Sequence, residues 1–262
     1  MSRHPFQNER QRLREEIRER RGQLRQELRG RRNELRQHRH EFRRMGSRGQ
    51  PEESRAAILH AAAHEFAQHG IAGARTDAIA REARVNKALL YYYFKDKETL
   101  YGAVLDEAFS GLKTTVFRVL DSDLGPSEKM LAYIGAYFDF IASNQFYPRL
   151  MQREMMRARE GHSQHIEKVV KNYIQPIFVR VSDLIRQGIA EGKFRSVSPA
   201  HFVPSMVAMI VFYFSSAPMM QKIVGFNPLT PERIAERRAA VLDFISAALF
   251  RPKDNATQGA RS

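Results

Sequence analysis

Residues 75–100 read RTDAIAREARVNKALLYYYFKDKETL. Thr76 is a good N-cap, and Ile79, Ala80 and Ala83 place small apolar side chains on one face of a short helix after it. Val85 interrupts that helix. Asn86 can cap a second one beginning at Lys87, with Leu90 and Phe94 four apart on its inward face. Two short helices joined by a tight turn form a helix-turn-helix, whose second helix enters the major groove of DNA. The outward residues suit that task. Lys87 can donate to guanine or phosphate, Ala88 and Leu89 can touch thymine methyls, and the hydroxyls of Tyr91, Tyr92 and Tyr93 can reach phosphate oxygens. Lys97 opens the next helix, whose first amides also suit a phosphate. The bland reading makes the three tyrosines a core cluster. Successive helical side chains turn by about 100°, however, so at least one tyrosine must face water.

Outward from this stretch, the flanking motifs carry a resemblance. EFAQHG (65–70), TDAIA (76–80), ARVN (83–86), LYYYF (90–94) and KDKETL (95–100) occur in the order and near the spacing of the tetracycline-repressor family. Residues 54–101 resemble the DNA-binding domain of that family. Arg84 stands where the family has a turn glycine, Asn86 where it has serine, and Leu89 where a small polar residue is common. The resemblance implies that Arg75, Thr76, Lys87, Leu89, Tyr91, Tyr92, Tyr93 and Lys97 touch DNA. It also implies an all-helical regulatory domain that dimerises through its last two long helices and encloses a ligand pocket.

The rest of the chain is compatible. Apolar residues recur at three and four, predicting helices at about 52–69, 76–83, 87–94, 97–119, 127–143, 147–159, 163–191, 199–215 and 231–250. Pro126, Pro199 and Pro231 fall at helix starts, whereas Pro176 should kink the long stretch containing it. The expected fold is all-α. An Arg-rich arm and linker (1–50) precede a helix-turn-helix domain (51–100), a ligand-binding and dimerisation domain (101–250) and a disordered tail (251–262). Helices 199–215 and 234–250 are the candidate dimer helices. Tyr133, Tyr137, Phe138, Phe146, Met151, Met155, Tyr173, Met206 and Tyr213 are the candidate pocket wall, since aromatics and methionine line apolar sites as well as ordinary cores. The expected effector is a hydrophobic small molecule.

Charge supports a polyanionic partner: the 262 residues carry a net +14. Sixteen arginines and seven glutamates in residues 1–50 contribute +9 of it. That arm holds an eleven-residue repeat at Leu13, Leu24 and Leu35, interrupted by Gly22 and Gly30. It reads as an extra phosphate-binding element, as a solvated tail, or as a segment ahead of a start at Met45. An architectural nucleic-acid-binding protein driven by this arm is the alternative to a repressor binding a near-palindromic operator.

Cysteine is absent, which excludes disulfides and thiolate metal sites. His60, His64 and His69 share a helix without an acid to complete a metal set, and His162 with His165 do no better. No phosphate loop or nucleophile triad stands out, so neither an enzyme nor a cofactor is expected. The apolar run 203–220 contains Pro204 and Pro218 and reads as a buried helix rather than a membrane span. The expected location is the cytoplasm.

Overall fold

The computed structural model of the chain describes residues 51–161 and 164–251. The expectations for the Arg-rich arm, for His162 and for the tail fall outside the described residues. From Ala56 to Arg251 the described residues belong to one compact unit. Among the described residues no strand forms; a single antiparallel bridge joins Phe194 and Phe250.

Three helices make the head: α1 (Pro51–Gly73), α2 (Thr76–Glu82) and α3 (Lys87–Tyr93). α1 buries Ile58, Leu59, Ala61, Ala62, Ala63, Phe66 and Ala67. Gly70, at φ 66 and ψ 178, breaks its helical geometry, at the end of the EFAQHG run and one residue past the expected stop.

The α2–α3 turn explains how Arg84 replaces a glycine. Arg84 is left-handed at φ 56. Its N–H donates to the Arg81 carbonyl at 3.1 Å, and the Val85 N–H reaches back to Ala80 at 2.9 Å. The turn thus keeps the helix-ending hydrogen bonds that glycine normally supports, with half-buried Val85 covering the core. A side chain in this conformation costs about 1 kcal/mol relative to glycine. Arg84→Gly is therefore expected to raise the urea midpoint by roughly that much stability. An unchanged or lower midpoint would mean that the arginine side chain offsets the strain.

α4 (Lys97–Leu120), capped by Asp96 Oδ1 accepting from the Thr99 N–H at 2.7 Å, runs from head into body. α5 (Pro126–Ser143) packs along it, and α6 (Tyr147–Arg159) follows after a short turn. α7 (Gln164–Val169) and α8 (Gln175–Ala190) are one long helical run interrupted by a π turn at Val170–Ile174. This turn is the form the expected disturbance at Pro176 takes. Proline has no N–H for the carbonyl of Asn172, four residues earlier. Lys113 Nζ donates to that carbonyl instead, at 3.2 Å.

α9 (Pro199–Ser215), α10 (Ala217–Val224) and α11 (Pro231–Leu249) complete the body. α10 was not expected from periodicity, although Pro218 at its start and left-handed Gly225 at its end are its punctuation. The apolar run 203–220 is therefore two helices meeting at 72°. No single described helix is long and apolar enough to cross a membrane; the bent α9–α10 pair meets that measure by length and composition only. Val203, Met206, Ile210, Phe214 and Ala217 of this pair are buried.

Aromatic rings tie the core together: Phe66 meets Tyr101 edge-on at 5.1 Å, Phe109 meets Tyr147 at 4.7 Å, and Phe138 meets Phe214 at 5.4 Å. At the far end of α8, the N–H groups of Lys193 and Phe194 both donate to the Gly188 carbonyl. The chain thereby folds back and lays the Phe194 ring directly on Gly188, stacked at 5.3 Å against Phe250.

Candidate nucleic-acid interface

The seven residues of α3 divide cleanly. Leu90, with Phe94 just beyond the helix, is buried against the head. Lys87, Ala88, Tyr91 and Tyr92 are exposed, Tyr92 to 69%, and Leu89 and Tyr93 are half-buried. Tyr93 sits under Tyr92, the rings meeting edge-on at 5.4 Å. The three tyrosines thus serve both purposes: two face solvent and one backs Tyr92.

Local hydrogen bonds hold this helix in place. Asn86 Oδ1 accepts from the Leu89 N–H at 2.7 Å, the cap expected from sequence. Thr76 does not cap α2 as expected. Arg75 takes the extended cap position and its N–H donates to Glu65 Oε1 at 2.9 Å, so Thr76 enters the helix itself. The Thr76 hydroxyl lies 3.4 Å from the Tyr91 hydroxyl, linking the start of α2 to the face of α3.

Electrostatics tune the same surface. Lys87 Nζ is 2.9 Å from Asp77 Oδ1. Their mutual hydrogen bond and charge attraction hold the Asp77 carboxyl below its usual range and push the Lys87 ammonium up. Both stay charged at neutral pH. Arg75, Arg81, Arg84 and Lys95 are exposed on the same head; of these only Arg75 belongs to the contact set read from sequence. Lys97 is placed differently from a free phosphate ligand. Its ammonium donates to the carbonyls of Ile71, Ala72 and Ala74 at 2.9, 3.3 and 3.2 Å, tying the first turn of α4 to the end of α1.

A second grip on α1 comes from the body and was missed in the sequence. On α6, Arg153 donates to the carbonyls of Ala67 and Gln68 at 3.0 and 2.6 Å. One turn on, Arg157 donates to Glu98 Oε1 at 2.8 Å, and His165 Nε2 lies 3.0 Å from the same oxygen. Burial pushes the Glu98 carboxyl up, but the bonds from Arg157 and His165 outweigh it and hold it below its ordinary value. Glu154, 1% exposed, lies 3.9 Å from Arg157. Beside it, burial and then the Glu154 charge push the Tyr101 phenol well up. His165, weighed in sequence as a metal ligand, belongs to this joint. Among the described residues, no three His, Asp or Glu side chains form a metal-binding group.

The residues of the candidate pocket wall differ in burial. Tyr133, Tyr137, Phe138 and Met206 are buried in the core. Phe146, Met151, Tyr173 and Tyr213 are half-buried at its edge, and Met155 is exposed. Of these nine, only Tyr213 lines the cavity of about 230 Å³ between α9, α10 and α11.

A helix-turn-helix head clamped to an all-helical body defines a DNA-binding transcriptional regulator. Comparison with known proteins agrees. Residues 58–104 match the model for bacterial regulatory proteins of the tetR family, and residues 126–245 match a tetracycline repressor-like C-terminal domain. The chain is 30% identical over 174 residues to the transcriptional repressor SCO4008 of Streptomyces coelicolor, covering 66% of this chain and 84% of that one. It is 27% identical over 169 residues to the regulator RutR of Escherichia coli K12, covering 64% and 77%. The structure of the regulator SCO4942 of Streptomyces coelicolor superposes with a TM-score of 0.58 at 26% identity, covering 76% of this chain and 99% of that one. The chain belongs to the tetracycline-repressor family. A matched head and body favour the regulator over the architectural reading based on the arm.

Proposed function

We propose that the chain works in the cytoplasm as a homodimeric repressor of a near-palindromic operator, released when a hydrophobic small molecule binds its body. The observation carrying this reading is the outward face of α3. Lys87, Tyr91 and Tyr92 stand exposed on a helix whose other face is anchored by Leu90 and Phe94. In a two-fold dimer, two such helices about 34–36 Å apart enter successive major grooves. An effector that binds a differently spaced state more tightly draws the dimer off DNA, by as much as its affinities for the two states differ. Residue by residue, Arg75, Thr76, Ala88, Leu89 and Tyr93 flank the three central contacts. Lys97 acts by holding α4 against α1.

Dimerisation is supported by unpartnered aromatics on the last two long helices. Phe212 of α9 is 61% exposed and Phe244 of α11 is 60% exposed. Ser205 and Ala208 share the exposed stripe of α9, and Ala240 and Ala247 that of α11. Small residues around one large ring suit a close intersubunit four-helix bundle. Phe212→Glu with Phe244→Glu is expected to give a monomer in sedimentation while helicity is retained. A dimer that survives both changes would move the interface elsewhere.

Selection of bound duplexes from a random pool tests the proposal as a whole. The expected result is an inverted repeat with half-sites one helical turn apart. Enrichment of no sequence, or of an undivided single site, would overturn it.

A further inference from the structure

Where α9, α10 and α11 meet, a cavity of about 230 Å³ opens. Its walls combine an apolar side with charged groups. Met220 and Val224 of α10 give an apolar side. Two guanidiniums lie on aromatic rings: Arg237 over Tyr213 at 5.1 Å and Arg233 over Phe226 at 4.4 Å. Glu236 is the one carboxylate in the lining, and it is held by Arg233 at 2.7 Å. Among the described residues, that leaves the charge of Arg237 without an acid. One of its terminal nitrogens donates to the Met209 carbonyl at 3.1 Å, but its Nε is cut off from solvent and has no hydrogen-bond partner among the described residues.

We propose that this cavity binds a small aromatic carboxylate. The charge balance, two guanidiniums against one engaged acid, favours an anion over a cation. A neutral apolar ligand would cover the Arg237 guanidinium without giving it a counter-charge. A carboxylate on the edge of the guanidinium accepts from it in the planar geometry that arginine favours. Size sets the rest of the ligand. An apolar cavity of about 150 Å³ takes up benzene, so this one holds a ring with its acid group. The ring lies along Met220 and Val224. Of the residues expected to line a pocket, this site includes Tyr213. Because α9 and α11 form two of its walls, and carry Phe212 and Phe244 on their exposed faces, occupancy bears on the helices assigned to dimerisation.

Calorimetric titration of the full chain with phenylacetate and with its neutral counterpart phenylacetamide tests this. The acid should bind at least about tenfold more tightly than the amide, as expected for a charged hydrogen bond. Arg237→Gln should bring the acid down to the level of the amide. Val224→Trp, which fills the apolar side without touching the charge, should remove binding of both. Glu236→Gln should tighten the acid. Equal binding of acid and amide, no binding of either, or acid affinity unchanged in both Arg237→Gln and Val224→Trp would overturn the assignment. If Arg237→Gln fails to fold, Val224→Trp and Glu236→Gln still decide. None of these titrations contains DNA, so their failure is read separately from the operator selection.

Discussion

Replacing Lys87 and Tyr92 together with alanine is expected to weaken operator binding at least about a hundredfold while the thermal midpoint stays where it is. A good base or phosphate contact is worth about 1–3 kcal/mol, and the proposed dimer loses two in each subunit, about 4–12 kcal/mol in all, which exceeds the roughly 2.7 kcal/mol that corresponds to a hundredfold. The fold should not notice. Tyr92 is the most exposed of the three tyrosines. Lys87 makes only a solvent-exposed pair with Asp77, a class of interaction that contributes little to stability. The helix itself is retained, because its Asn86 cap and its Leu90 anchor remain. Fluorescence anisotropy on the selected operator, at fixed salt, measures the loss. Arg180→Ala serves as the control, since it also breaks a surface ion pair, with Asp121, but in the body. A double variant that binds within threefold of the parent would remove α3 from the interface.

Gly188→Ala is expected to destabilise the body by about 3 kcal/mol, the upper end of what overpacking a core costs. A Cβ at this position would stand 2.1 Å from Cδ2 of Phe194 and 2.3 Å from its Cε2. The ring cannot step aside. It is fully buried and stacked on Phe250, and its own N–H is bonded to the Gly188 carbonyl. The methyl therefore forces α8 and the following loop apart. Urea denaturation checks the size of the effect, and a midpoint within about 0.5 kcal/mol of the parent would show that the ring has room to move. DNA binding below the unfolding range should be little affected, because Gly188 lies far along the chain from the head.

The head was legible in the sequence because it is built from local signals. Asn86, Leu90 and Phe94 each act within a few residues of themselves, and the structure places them as cap and anchors. The helices of the body were legible to within a few residues for the same reason. Thr76 was misplaced by one position because a residue ten positions away, Glu65, takes the Arg75 N–H and sets where α2 begins. The joint was illegible for a related cause. Arg153 and Ala67 are 86 residues apart, and the acceptor is a main-chain carbonyl that no residue type marks. The aromatics expected to line a pocket look the same in sequence whether they line a void or fill one. The cavity beside Tyr213 depends on α10, which was hidden inside an apolar run that also continues a buried helix.

Lys97 from one side and Arg153 from the other both end on backbone oxygens of the first helix. Main-chain carbonyls are the same whatever side chains surround them. Substitutions on the outer surface of that helix therefore leave these attachments standing, and the outward faces of α2 and α3 take no part in them. A new operator preference can be written onto the reading surface without rebuilding the hinge that carries it, which makes this head a module suited to exchange or redesign.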